Sequence, residues 1–175
     1  RGFTKQNLLN YSGAIEDFSS AIIFDPENES YFYSRGWNYD KLGEFQKAID
    51  DYTTAIQIYS GIVLLGDIYV NRGAVYFNLE EYQKSIDDNL VALQLEVTDR
   101  KLPLYNIGIA YEESGNYLSA INYMNQVLAI DINYNKAWYN NGINYYNLGN
   151  IDLAINSFEK ADGFGNSQEW LSFLK

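Results

Sequence analysis

Four glycines, each followed three residues later by a tyrosine, divide the chain at a near-constant period: Gly36/Tyr39, Gly73/Tyr76, Gly108/Tyr111 and Gly142/Tyr145, spaced 37, 35 and 34 residues apart. A chain that repeats itself at this interval folds as a stack of like units, because each unit leaves an apolar face that only its neighbour can cover. Six and seven residues after each glycine come Leu42-Gly43, Leu79-Glu80, Ser114-Gly115 and Leu148-Gly149. Then follow Phe45, Tyr82, Tyr117 and Ile151; Ala48, Ser85, Ala120 and Ala154; Tyr52, Asn89, Met124 and Phe158; and Ala55, Ala92, Val127 and Ala161.

Each copy reads as two helices. Phe32, Gly36, Tyr39 and Leu42 fall on one stripe of a helix with 3.6 residues per turn, and Ala48, Tyr52 and Ala55, flanked by Ile49 and Ile56, do the same for a second. Between them Gly43 supplies the left-handed residue that ends a helix, a role that Gly115 and Gly149 repeat. Glu80 stands in that place in the second full copy, so its turn is expected to be strained or differently shaped. This set of positions, in four successive copies, resembles the tetratricopeptide repeat, a helix–turn–helix of about 34 residues. The resemblance implies an all-α fold, a right-handed α-solenoid of stacked helix pairs.

The pattern places a single repeat domain over residues 1–175, with full copies at 29–65, 66–100, 101–134 and 135–165. Residues 1–28 read as a truncated copy carrying Gly2, Leu8, Tyr11, Ala14, Phe18 and Ala21, stopped by Asp25-Pro26 because proline pushes the residue before it out of the helical region. The wide first spacing puts extra material at Ser60 to Gly66, read as a helix extension or as an apolar loop tucked against a neighbour. Pro103 is acceptable near a helix start, where its missing N–H would have had no partner. Residues 166–175 read as a capping helix in which Trp170, Phe173 and Leu174 cover the last repeat. Arg1 falls inside a repeat, which leaves room for a targeting segment, an anchor or a catalytic part ahead of it.

Composition excludes several functions. With 12 basic residues against 23 acidic and a net charge of −11, the chain lacks the cation excess that releases counterions from a phosphate backbone, so no nucleic-acid partner is expected. Nothing approaches the roughly 18 apolar residues of a membrane span, so no membrane insertion is expected. Without histidine or cysteine the chain lacks the commonest general base, the thiol nucleophile and the preferred zinc ligands; no enzyme, cofactor or metal is predicted. The absence of cysteine leaves the compartment open, with a soluble, cytoplasmic protein favoured. The acid pairs Glu16-Asp17, Asp50-Asp51 and Asp87-Asp88 recur at one position of each copy; neighbours on a helix point about 100° apart and cannot converge on a substrate, so they read as the solvated face of second helices. Asp131-Ile132-Asn133 opens like a calcium loop, but Lys136 and Gly142 replace its glycine and glutamate, and it reads as an inter-repeat turn.

The resemblance implies a non-catalytic interaction scaffold whose first helices line a concave groove for an extended peptide or partner helix. Carried over position by position, the lining is Ser30, Tyr33, Trp37, Asp40 and Lys41; Asp67, Val70, Ala74, Phe77 and Asn78; Leu102, Tyr105, Ile109, Glu112 and Glu113; and Lys136, Tyr139, Ile143, Tyr146 and Asn147. Aromatics with a polar tip favour peptide binding, since they bury much area at small entropic cost. The family's carboxylate clamp for chaperone termini is not reproduced: on the first three full copies only Asn71 matches. The alternatives are the recruiting or regulatory arm of a larger enzyme or sensor, and self-association through the open N-terminal end.

Overall fold

The computed structural model describes residues 10–61 and 63–175. Gly2 and Leu8 of the truncated copy, the N-terminal end expected to self-associate, and Ile62 of the insertion lie outside the described residues. Among the described residues there are ten helices and no strand: α1 (Tyr11–Phe24), α2 (Glu29–Lys41), α3 (Phe45–Gln57), α4 (Leu65–Asn78), α5 (Tyr82–Gln94), α6 (Lys101–Glu113), α7 (Tyr117–Ile130), α8 (Asn135–Asn147), α9 (Ile151–Lys160) and α10 (Ser167–Leu174). The chain divides into two compact units between Thr98 and Asp99. In the first, α1 to α5 each pack on the next and α2 also touches α4; in the second, α6 to α10 do the same and α6 also touches α8.

Close approach of paired helices follows from the period-marking glycines. A Cβ on Gly142 would lie 2.5 Å from the Phe158 ring, and one on Gly108 would lie 2.8 Å from the Met124 methyl. Gly36 and Gly73 face Tyr52 and Asn89 in the same way, so the glycine and the large residue sixteen positions later are one packing device. Tyr52, Met124 and Phe158 are thereby fully buried. In the first unit Ala48, Ile49, Tyr52, Ala55, Ile68 and Val75 form the core. Ile107, Ala110, Met124, Val127 and Phe158 are fully buried in the second.

All four intra-pair turns have one shape. The N–H of residues 44, 81, 116 and 150 returns to the carbonyl five residues earlier, at 2.8 to 2.9 Å, and the residue before it takes a left-handed conformation. Glu80 adopts φ +60° beside the +75°, +78° and +77° of the three glycines, so its turn is strained and not reshaped. Helix α1 ends at Phe24, before Pro26, with Asp25 outside the helical region at φ −143° and ψ 83°. The insertion does not extend the helix far: α4 begins at Leu65, and Val63 and Leu65 pack on the core of the first unit. Glu29, fully buried at the start of α2, fastens that loop by accepting from the Ser60 hydroxyl at 2.6 Å and the Val63 N–H at 3.4 Å.

The acid pairs divide, which corrects the expectation of a solvated face. Glu16, Asp50 and Asp87 are exposed, but Asp51 and Asp88 are buried beneath arginines of the first helix. Arg35 donates to both Asp51 oxygens at 2.8 and 2.7 Å, and Arg72 to both Asp88 oxygens at 2.8 Å. A third guanidinium donor reaches back to the preceding second helix, to Ser19 at 3.0 Å and Thr53 at 2.9 Å. Each arginine therefore ties three helices, and the hydrogen bonds to Asp51 hold Arg35 above its ordinary pKa. In the second unit Ile107 and Asn141 take the arginine position, and Asn141 keeps only the backward reach, to Asn125 at 2.9 Å.

Candidate functional site

The residues expected to line a groove lie on α2 and α4 in one unit and on α6 and α8 in the other, where their positions relative to the packing glycine put them beside the core stripe. In the first unit Tyr33 is half-buried: its ring meets Tyr52 at 6.0 Å between centroids, and its hydroxyl accepts from Asn71 on α4 at 2.8 Å. Burial, with the charge of Asp67 next, pushes the Tyr33 hydroxyl pKa up. Trp37 sets its edge on Tyr11 of α1 at 5.8 Å and carries the Lys41 ammonium 5.3 Å from its centroid, while Lys41 also pairs with Asp40 at 2.9 Å. Phe77 is half-buried against Tyr82, and Asn78 is exposed. Val70 is buried, 5% exposed, and offers no surface to a partner. Asp67 is tied by its carboxylate to the Thr98 N–H at 2.9 Å and to the Thr98 hydroxyl.

In the second unit the same face is built around Tyr105, Glu112 and Asn140. Tyr105 sits edge-on to Tyr134 at 5.6 Å and is hydrogen-bonded to Asn140 of α8; burial, with Tyr134 and Glu112 adding to it, pushes its pKa up to about 12. Glu112 accepts from the Asn144 amide at 2.6 Å and is hydrogen-bonded to Asn140, yet burial outweighs both and raises its carboxyl to about 7. Asn140 therefore joins Tyr105 to Glu112. Ile109 and Ile143 are half-buried, Leu102, Glu113, Lys136 and Asn147 exposed. Tyr139 turns toward Phe158 and Phe164, both at 5.8 Å, and away from the Tyr105 cluster. Tyr146 faces α10, where Trp170 lies 4.8 Å away.

Sequence reasoning weighed Asn71 only against the chaperone clamp and missed Asn140 and Asn144; all three link neighbouring first helices within each unit. The signal was an asparagine two residues before the glycine in the second, third and fourth copies, at positions 71, 106 and 140. The cap is also corrected: Trp170 stacks on Phe158 at 5.3 Å and 7°, but Phe173 is 70% exposed and covers little of the repeat. Asp131 accepts from the Asn133 N–H at 3.1 Å and from Lys101 at 3.0 Å, as a turn residue does. Among the described residues no three His, Cys, Asp or Glu gather into a metal-holding group, and no helix is long and apolar enough to cross a membrane.

Two family models, both described as tetratricopeptide repeat, match the chain: one over residues 30–62, the other over residues 103–133 and 136–163. No curated protein matches it in sequence. Among solved structures it is similar to MamA, with 23% identity, a TM-score of 0.83 and coverage of 98% of this chain and 96% of that one. YrrB, described as a TPR protein with an unusual peptide-binding site, aligns at 19% identity and a TM-score of 0.79, covering 98% and 87%. A tetratricopeptide repeat protein from Parabacteroides merdae aligns at 22% and 0.83, covering 99% and 69%. These likenesses show the all-α repeat fold. With more than half of its residues matched and its helices paired as described, the chain belongs to the tetratricopeptide repeat family, whose members mediate protein–protein interactions and are typically non-catalytic.

Proposed function

We propose that the first-helix faces of this chain, α2 with α4 and α6 with α8, bind an extended peptide or a partner helix. The observation that carries the reading is the recurring pair of Tyr33 with Asn71 and Tyr105 with Asn140. In each unit a half-buried tyrosine and an asparagine amide of the next first helix hold a polar edge, so that ring area and amide groups stand ready for a peptide backbone. Trp37, Asp40, Lys41, Phe77 and Asn78 extend the face in the first unit, and Ile109, Glu112, Lys136 and Ile143 in the second, with Tyr139 and Tyr146 at its edge. YrrB supports the reading as a solved protein of this fold described with a peptide-binding site. The test is partner capture from the native lysate followed by peptide mapping. The double variant Trp37→Ala with Tyr105→Ala is expected to weaken capture while far-ultraviolet circular dichroism stays unchanged, and unchanged capture removes the reading.

A further inference from the structure

We propose that α8 and α10 build a site for one basic side chain, lysine or arginine, of a protein partner. Tyr146, Trp170 and Phe173, with Asn166 and Glu169, line an open pocket of about 400 Å³. The three rings stand 4.8 to 6.4 Å apart between centroids and at 58° to 80° to one another, so they wall the opening instead of stacking into a block. Trp170 is held in place from behind, its ring parallel to that of the fully buried Phe158. Ring faces carry negative quadrupole charge and attract a cation within about 6 Å, and Glu169 adds a carboxylate at the rim.

Elsewhere this chain seats its own cations on such rings: Arg35 over Phe32, Arg72 over Tyr69, Lys160 at 4.3 Å over Trp138. Among the described residues no cation of the chain sits over Tyr146, Trp170 or Phe173, and the neighbouring Lys175 is paired with Glu159 at 2.7 Å. A cation on an aliphatic stem meets the rings and the Glu169 carboxylate together, which a purely apolar occupant does not. The net charge of −11 draws such a group in. The inference rests on the protein-binding reading only in taking a protein as the carrier.

The test follows the three tryptophan indole N–H signals by NMR during titration with acetyl-Gly-Lys-Gly-amide, with the norleucine tripeptide as the uncharged control and Trp170→Phe to assign the signal. A saturable shift confined to Trp170 is expected, with the norleucine peptide, Glu169→Gln and Phe173→Leu each weakening it about three- to tenfold. Phe173 is exposed, so its loss leaves the fold intact. An equal response to norleucine, parallel shifts at Trp37 and Trp138, or no saturation at Trp170 overturns the proposal. Intact partner capture without a Trp170 shift removes this site alone. A Trp170 shift with capture indifferent to Trp37→Ala and Tyr105→Ala removes the first-helix reading alone.

Discussion

Glu80 and Glu112 show what a single residue contributes here. A left-handed conformation costs an L side chain about 1–2 kcal/mol, and Glu80 bears that cost at an exposed turn whose three counterparts are glycine. Glu80→Gly is expected to raise stability by about 0.5 to 1 kcal/mol after the unfolded-state entropy of glycine is subtracted, read as a higher urea midpoint at constant slope. Glu112 carries a pH dependence. Its carboxyl is raised by burial from 4.5 to about 7, so between those values the folded chain binds more protons than the unfolded one. Its contribution is therefore complete below about 4.5 and is lost as pH rises through about 7. Glu112→Gln, which keeps the shape without the charge, is expected to flatten the fall in stability across that window; an unaltered profile contradicts the assignment. The strain at Glu80 was legible as a missing glycine. The Glu112 shift was not, because it comes from the packing of α6 against α8.

At the scale of the element, the helix pair is held by two devices, and only one was legible from a single position. Small-against-large packing shows directly in the recurrence of glycine with Tyr52, Met124 or Phe158. The arginine tie shows only when two positions are compared: Arg35 with Asp51 and Arg72 with Asp88 stand sixteen apart, and where arginine gives way to Ile107 the aspartate gives way to Tyr123. Taken alone, the adjacent aspartates read as a wet face, whereas the turn of the helix sends one into water and its neighbour under the guanidinium. Arg72→Met leaves Asp88 buried without its cation and is expected to cost about 3 kcal/mol, the low end for such pairs because 15% and 10% of the two side chains remain exposed. Arg72→Ile with Asp88→Tyr, the residues of the third full copy, is expected to recover most of that loss. A double variant no better than the single one in urea unfolding contradicts this account.

For the whole molecule, the period, the helix pairs and their turns were all readable from residue spacing, since each rests on local geometry and on contacts within about 35 residues. The division at Thr98 was not, nor was the burial of Val70. The binding faces were legible as positions but not as chemistry: the sequence pattern offers tyrosines, and the fold adds the asparagines that hold Tyr33 and Tyr105 in place. The most direct test of the central claim is the affinity of the mapped partner peptide, measured by calorimetry for three chains: the unaltered protein, Trp37→Ala with Tyr105→Ala, and Gln57→Ala with Gln126→Ala on exposed positions of α3 and α7. If the first-helix faces bind, the aromatic variant loses about tenfold or more in affinity at unchanged helicity, while the glutamine variant stays within about twofold. Equal affinity for all three chains, or a loss confined to the glutamine variant, would contradict it.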